Sequence, residues 1–391
     1  MVEAFHNFHP HLLHFLNRVH QSTSILTHDA ISAGNGMPSH RTLYRWHARL
    51  GDGITYYPTL DYDALGLVHW HLLIENPTPE WERWPYAIKA DWVVQRPGAK
   101  TLYLHCLIPR VHEIDLQRIV EEWIHAGCGT AFTLIATGDG AQLLRGILST
   151  GLPDGDDVPV LWRSPVRGAW ELVERYPLII PVIFEMTEHR RSMPQVWTIL
   201  RERLGDAVWT YLPRGAPRMP HNGKAHVRDA LRLISDSLFV RQYLIRFAPL
   251  QAVTMDMLAV IDAPLADVLT LIGPEQPLTD VYPITKHSYL VRVTAAYPLL
   301  ARFFRSAVTT VRDWRFIDHA ENTMHPCPAR FQYERVFDPA TCEWVLPDLH
   351  PANDNLTNGE RTTTTTGGTA PTPGARHDQS SPQPRDATGA D

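Results

Sequence analysis

Hydroxyl and cationic side chains are concentrated in residues 39–50, with a spacing that suits one exposed helix. Ser39 can begin this helix, because a serine hydroxyl accepts hydrogen bonds from the amides of a first turn. Leu43, Trp46 or His47, and Leu50 share an apolar face. The remaining faces hold no acid and carry Ser39, His40, Arg41, Thr42, Tyr44, Arg45 and Arg49. Arginine can bind guanine through two hydrogen bonds and hydroxyls can reach phosphates, so the segment predicts DNA contact. An exposed basic helix without that role is the alternative.

A second cationic helix is predicted over residues 224–237. Its apolar side chains, Val227, Leu231 and Ile234, recur at helical spacing and are predicted to face inward. The outward side is predicted to carry Lys224, His226, Arg228 and Arg232. Asp229 and Asp236 weaken the positive charge of this helix. It therefore predicts weaker DNA contact, contact through the basic loop that precedes it, or a purely structural role.

Other side chains that could do chemistry form weak patterns. His69 and His71 are two apart on a predicted strand and hence on one face, but no further ligand follows at a recognisable spacing. His325, Cys327 and Cys342 do not have the spacing of a zinc site. Nucleotide-binding loops, serine nucleophile elbows and zinc-protease motifs do not occur in the sequence. We therefore expect no enzymatic activity, no catalytic residue, no metal and no cofactor.

A repeated order of elements should position these side chains. Residues 66–76, 93–97, 101–109 and 129–138 read as strands, and residues 77–92 and 112–127 read as helices, which gives the order β-α-β-β-α-β. The same order returns with strands at 252–262, 278–286, 288–295 and 311–318 and helices at 264–273 and 298–308. Three short helices are predicted before each unit, at 10–21, 26–34 and 39–50 and again at 175–190, 192–205 and 224–237.

The string from Pro38 to Leu50, followed by residues 53–58 and the connector 60–67, resembles the Lrp/AsnC-like (leucine-responsive regulator) family of transcription factors. The resemblance covers residues 6–143 well and residues 170–322 more loosely, with an insertion at 207–223. It implies a helix-turn-helix that binds double-stranded DNA, followed by a ferredoxin-like domain. That domain forms dimers and often binds an amino acid or another small effector. Siroheme decarboxylases share the layout, but the His-Asn-Tyr type of string they would need is not found.

The fold class predicted is α+β, with two tandem copies of a winged helix-turn-helix followed by a ferredoxin-like domain. The predicted boundaries are 1–58 and 169–247 for the helix-turn-helix domains, the second degenerate, and 59–145 and 248–322 for the ferredoxin-like domains. A linker is predicted at 146–168, an extra hairpin at 323–349 and a disordered tail at 350–391, where Thr, Asn, Gly and Pro dominate. The two copies could pair within one chain as a pseudo-dimer or with a second chain.

Composition sets limits on this interpretation. Lys and Arg number 36 and Asp and Glu 42, a net charge of −6 that excludes a uniformly basic nucleic-acid coat but allows a local basic patch. The 4 cysteines are too few for a disulfide scaffold, and neither a signal peptide nor a membrane span is evident, so we expect a cytoplasmic protein. The prediction is a DNA-binding transcriptional regulator. The alternative is a ligand-sensing or protein-interaction scaffold that does not bind DNA.

Overall fold

The computed structural model describes residues 41, 54–95, 100–138, 141–143, 168–188, 193–213, 215, 216, 218, 223–236, 240–247, 255–272, 278–295, 300, 301, 303, 305, 310–327 and 329–347. All of them belong to one compact unit. The first predicted helix-turn-helix, apart from Arg41 and residues 54–58, lies outside the described residues. So do the predicted linker up to residue 167 and the predicted tail.

The described strands are β1 (Ile54–Leu60), β2 (Leu67–Glu75), β3 (Ala87–Val94), β4 (Thr101–Pro109), β5 (Ala131–Thr137), β6 (Ala141–Leu143), β7 (Val240–Phe247), β8 (Met255–Ile261), β9 (Leu278–Thr285), β10 (Ser288–Ala295), β11 (Val311–Ile317), β12 (Phe337–Asp338) and β13 (Glu343–Trp344). They form one large antiparallel sheet and two small ones.

The described α-helices are α1 (Leu116–Trp123), α2 (Ala169–Arg175), α3 (Ile179–Glu188), α4 (Met193–Leu204), α5 (Gly223–Asp236), α6 (Leu265–Ile272), α7 (His319–Met324) and α8 (Tyr333–Val336). Short 3-10 segments occur at Asp63–Leu65, Pro79–Arg83, Arg110–Asp115 and Gly205–Tyr211. In the part of the chain that the structure describes, no helix combines the length and the apolar character needed to cross a membrane. The mixture of helices with one large antiparallel sheet is an α+β fold.

The large sheet contains both predicted sets of strands. Its nine strands run in the order β5-β2-β4-β3-β11-β8-β10-β9-β6. Within each half, the strand that comes fourth in sequence lies beside the first, followed by the third and the second. This is the spatial order expected when β-α-β-β-α-β units form four-stranded antiparallel sheets. β11 joins the halves through antiparallel pairing with β3, as in the pair Phe316 and Val94.

The sheet closes on itself through residues 131–143. β5 pairs with β2 at one end of the strand order, while β6, a few residues later, pairs with β9 at the other end. Between them, the Gly138 amide donates to the Pro283 carbonyl at 2.7 Å. The result is a barrel in which each half supplies a strand to the other. Closure removes the exposed sheet edges that would otherwise be open to pairing with other chains.

A two-stranded ribbon stands outside this barrel. β1 and β7 pair antiparallel, with Ile54 opposite Phe247 and Leu60 opposite Val240. In sequence, β1 follows the first predicted set of helices and β7 follows the second. Their mutual pairing is a long-range contact that the sequence did not predict.

The outer face of the first half is covered by aromatic side chains and one helix. Trp84 and Trp123 stack with ring centroids 4.7 Å apart and both are buried against β4, where the Trp84 indole donates to the Cys106 sulfur at 3.3 Å. Trp81 is buried in the same layer. This aromatic layer binds the 3-10 segment Pro79–Arg83 and α1 to the sheet.

The predicted helix 77–92 is wrong. Only Pro79–Arg83 is helical, as a 3-10 segment, and Ala87–Val94 is a strand, so the predicted strand 93–97 begins too late. Pro85 interrupts a helix at this point, and alternating apolar residues after it suit a sheet. The predicted helix 112–127 begins later than expected, because a 3-10 segment precedes α1 and leaves the Ile114 side chain 91% exposed.

The second predicted helix-turn-helix region forms a helical module from α2 to α5. The helices predicted at 192–205 and 224–237 are confirmed as α4 and α5. The helix predicted at 175–190 is present as α3, but it begins later, at Ile179, after α2 has ended at Arg175. α3 packs against both α4 and α5. This packing makes α3 the central helix of the module.

The C-terminal segment joins this module to the first half of the barrel. Phe331 stacks on Phe184 of α3 with ring centroids 4.2 Å apart and lies 6.5 Å from the Tyr86 ring, which precedes β3. Farther along, the Trp344 indole donates to the Leu65 carbonyl at 3.0 Å. The predicted hairpin is confirmed as β12 and β13, and the part around residues 333–336 is α8 rather than strand.

Phe331→Ala should lower the free energy of unfolding by about 3–5 kcal/mol, the usual cost of emptying a fully buried phenylalanine site. Phe331 is fully buried between the helical module and the barrel. Chemical denaturation followed by tryptophan fluorescence would measure the change. The control Ile114→Ala removes an exposed side chain and should alter stability by less than about 0.5 kcal/mol. Equal effects of the two variants would contradict the joining role of Phe331.

Candidate functional site

Of the predicted recognition helix, residues 39–50, the structure describes only Arg41. Arg41 is helical and exposed, as the prediction requires. Ser39, His40, Thr42, Tyr44, Arg45 and Arg49 lie outside the described residues, so their role stays a prediction.

α5 provides the described part of the predicted DNA-binding surface. Lys224, Arg228 and Arg232 are exposed on this helix, while Val227, Leu231 and Ile234 are buried against the module, as predicted. The Arg228 guanidinium lies 3.8 Å from the carboxylate of the neighbouring Asp229, and both side chains are well exposed. An exposed pair of this kind is weak and leaves Arg228 able to exchange partners.

The outward position predicted for His226 is wrong. His226 is buried, its ring centroid is 6.3 Å from the Trp197 ring of α4, and its carbonyl accepts from the Tyr176 hydroxyl at 3.1 Å. α5 approaches α4 so closely here that a Cβ on Gly223 would lie 2.0 Å from the Trp197 ring. The same close approach that requires glycine at the start of α5 covers the histidine one turn later.

The barrel interior holds a second group of candidate side chains. His69 and His71 of β2 lie on one face of the strand, as predicted, and meet His105 of β4. His69 Nδ1 and His105 Nε2 are 2.8 Å apart, so one ring donates to the lone pair of the other. The rings of His71 and His105 stack with centroids 4.5 Å apart. We call these three residues the barrel histidines.

Hydroxyl groups complete the surroundings of the barrel histidines. The two nitrogens of His71 are 2.8 Å from the Tyr103 hydroxyl and 3.0 Å from the Thr137 hydroxyl. From the far end of the strand order, Tyr282 of β9 places its ring 4.9 Å from His71 and 5.2 Å from His105. A residue of β9 can reach β2 in this way only because the sheet closes.

Burial changes the acid–base properties of this group. Removal from water lowers the pKa of His71 and of His105 well below the usual histidine value, and neighbouring histidines lower both further. Burial likewise raises the pKa of the Tyr103 phenol well above its normal range. At neutral pH, His71 and His105 are therefore neutral imidazoles and Tyr103 is a neutral phenol.

The barrel histidines do not have the arrangement of a metal site. Within the described parts of the chain, no group of three or more His, Cys, Asp or Glu side chains is arranged to hold a metal ion. The close Nδ1–Nε2 contact directs His69 and His105 toward each other rather than toward a common centre. What the arrangement can do is take up and release protons within a hydrogen-bonded cluster.

Sequence reasoning found His69 and His71 but missed His105, Tyr103 and Tyr282. A signal was present, since Tyr103 and His105 alternate on the strand 101–109 and therefore share a face. The antiparallel register that sets His71 opposite His105 was the missing information.

A buried ion network occupies another part of the interior. Arg292 of β10 donates to Asp91 of β3 at 3.0 Å and to Asp256 of β8 at 2.7 Å, so it links the two halves. Lys89 lies 3.3 Å from Asp91, and Arg315 pairs with Asp313. These charges largely compensate one another, which is the usual condition for burying them.

Stability should fall as the pH drops below about 6.5. The folded chain keeps His71 and His105 neutral where the unfolded chain protonates them, so stability is complete above the unfolded pKa and is lost below it. The slope contributed by both residues should reach about 2.7 kcal/mol per pH unit. Urea titrations from pH 5 to pH 7.5 would measure it.

His105→Gln should reduce that slope by about half, whereas His325→Gln, at an exposed position, should leave it unchanged. A His105→Gln protein with the full wild-type slope would contradict the assignment.

Comparison with known proteins adds no relative to this picture. No protein-family model, curated protein or solved structure matches the chain. The function is therefore argued from the residues and geometry described above.

Proposed function

We propose that the chain is a cytoplasmic DNA-binding transcriptional regulator of the Lrp/AsnC-like type, in which the two halves of one polypeptide form an internal pair. The first helix-turn-helix would supply most contacts to base edges, through Ser39, His40, Arg41, Thr42, Tyr44, Arg45 and Arg49. α5 would add phosphate contacts through Lys224, Arg228 and Arg232. The two ferredoxin-like halves would form the barrel, and a small effector such as an amino acid could act on it. The proposal includes no catalytic step.

The ribbon of β1 and β7 carries this proposal. Each strand follows one predicted helix-turn-helix, and the two strands pair antiparallel along their lengths. Because antiparallel partners begin at opposite ends of a ribbon, the segments that precede β1 and β7 enter it from opposite ends. Regulators that read two half-sites need two recognition helices held in such a mutual arrangement.

Charge on α5 supports a role in binding the DNA backbone. Three cations project from this helix, and Asp229 is an exposed acid beside them. Contacts between lysine or arginine and phosphate do not depend on base sequence, so this helix suits positioning better than base readout. The overall charge of −6 is compatible with such a patch, because screening limits the reach of distant charges to about 8–10 Å at physiological salt.

The loss of His226 from the exposed surface changes one part of the proposal. A buried imidazole next to Trp197 does not reach DNA without disturbing the contact between α4 and α5. His226 is therefore a packing residue in the proposed regulator, and Lys224, Arg228 and Arg232 form its second cationic surface.

A ligand-sensing or protein-interaction scaffold without DNA binding is the second candidate. The observation that favours it is the acid on α5, where Asp229 lies beside Arg228. Such a scaffold would keep the barrel and the helical module but would not bind DNA at low salt.

Replacing Arg41, Arg45 and Arg49 together with alanine should abolish sequence-selective binding by the full-length chain. Replacing Lys224, Arg228 and Arg232 should weaken binding to all fragments alike and lower the salt slope by about 2–3, since each phosphate contact contributes about 0.9. Fluorescence anisotropy with fragments selected from genomic DNA, titrated over a salt series, would measure both effects.

The matched control replaces Arg118, Arg305 and Arg312, which are equally exposed but lie on other surfaces. This triple variant should bind DNA like the wild type. If all three triple variants bind equally, or if the wild type fails to bind at low salt, DNA regulation is excluded and the scaffold is favoured.

A further inference from the structure

The barrel histidines are connected to the helical module by a short series of aromatic contacts. The Tyr62 ring meets His69 edge-on with centroids 5.2 Å apart. The Tyr62 ring also lies nearly parallel to the ring of Phe184 in α3, with centroids 6.5 Å apart. α3 in turn packs against α5, the helix with the exposed cations. Movement of His69 therefore reaches α3 through a single intervening side chain.

The contact between His69 and His105 is sensitive to protonation by its nature. A neutral imidazole offers one donor and one acceptor, whereas an imidazolium offers two donors. The 2.8 Å contact persists with one proton added to the pair but not with two, because no lone pair remains. Two imidazolium rings with centroids 5.0 Å apart would also repel each other.

His71 responds differently to protonation. Its partners are hydroxyl groups, which can rotate to accept as well as donate. A charged His71 would nevertheless stack 4.5 Å from His105 and add to the repulsion there. The His69–His105 contact is therefore the weakest point of the cluster in acid.

In the described part of the chain, the charges around the cluster do not provide a ready counter-ion. Lys89 is the register partner of His105 and adds positive charge. The acids near the cluster already have cations beside them. Asp91 pairs with Lys89 and Arg292, and Asp313 pairs with Arg315. Asp280 lies opposite Arg292 in the strand register. On the module side, Asp61 accepts from the Ala64 amide, and Glu185 accepts from Arg203 and Tyr333. Burial raises the pKa of the Tyr103 phenol, so this side chain adds no charge.

Protons have a route to the cluster. A small cavity, part of it open to solvent, is lined by His71 and Tyr103 together with residues of β5, β8, β10 and β11. His71 is fully buried beneath this lining, so a local opening there would bring water to its ring. Titration of the cluster therefore does not require the barrel to unfold first.

We propose that the barrel histidines form a proton switch: acid favours a partly open state, in which the His69–His105 contact is broken and the freed imidazoles take up protons from water. This state displaces Tyr62 and loosens α3 and α5 before the barrel unfolds. The second half of the barrel contributes none of these three histidines and should stay folded when the module loosens. The structural step stands by itself. Its consequence, weaker DNA binding through α5 in acid, rests on the function proposed above.

Hydrogen–deuterium exchange of the full-length chain between pH 5.5 and pH 7.5 tests this switch, with rates corrected for the intrinsic pH dependence of exchange. Amides of α3 and α5 should lose at least about tenfold in protection toward pH 5.5, a local opening free energy well below the global one. Amides of β8 and β10 should keep their protection. Simultaneous loss in all four elements would show global unfolding and overturn the proposal.

The variant His69→Gln/His105→Gln keeps a donor and an acceptor at the contact but removes its titration, so protection of α3 should become independent of pH. The control variant, His125→Gln/His325→Gln, changes two exposed histidines and should retain the wild-type profile. If the double variant at the contact does not fold, the single change His69→Gln gives the same test with a partial effect. A wild-type profile in the contact variants would overturn the switch.

DNA titrations at the two pH values separate the switch from the proposed function. Loss of α3 protection together with weaker DNA binding in acid supports both, provided that the glutamine variant keeps its affinity. Loss of protection in a protein that binds no DNA at either pH supports the switch and excludes the regulator. DNA binding with pH-independent protection excludes the switch and leaves the regulator standing.

Discussion

Closure of one sheet from two halves is the constraint on which the other features depend. β11 completes the first half by pairing with β3, and β6 completes the second by pairing with β9. These reciprocal pairings use backbone hydrogen bonds, which an unclosed sheet would leave exposed along two edges. Once the halves are fixed in this way, β1 and β7 are held near enough to form their ribbon.

Closure also creates the interior that both polar groups occupy. The Arg292 network crosses from the second half to the first through Asp91, and the barrel histidines receive Tyr282 from the second half. A buried ion pair contributes little net stability, but removal of one partner costs about 3–5 kcal/mol. Misaligned halves would leave Arg292 without one of its carboxylates, so the network favours the correct register. The interior thus specifies how the halves pair more than it strengthens the pairing.

The sequence predicted elements that follow from local periodicity, and it missed contacts between residues that are distant in sequence. Strands such as 101–109 and 288–295 and the helix 224–237 have unambiguous periods, and the structure has elements there. The helix prediction for 77–92 was wrong because this segment fits two periods. Trp81, Trp84, Ile88 and Trp92 have helical spacing, while residues 88–94 also alternate as in a strand. Pro85 interrupts a helix and so favours the strand. The outward position predicted for His226 was wrong because its burial depends on Trp197, a residue of another helix. His105 was missed because its partner is set by sheet register.

Because the two halves belong to one chain, their interior side chains can differ. In a symmetric dimer every interior side chain appears twice, so one cluster of three histidines would imply six, together with a doubled arginine network. Here the first and third strands of the first half carry His71 and His105, whereas the same strands of the second half carry Leu258, Val260 and Arg292. Apolar neighbours from the second half keep the imidazoles desolvated, and the cations of the network stay with their own acids. A single chain can therefore place a proton-sensitive cluster in one half and a compensated ion network across the seam, which two identical chains could not separate.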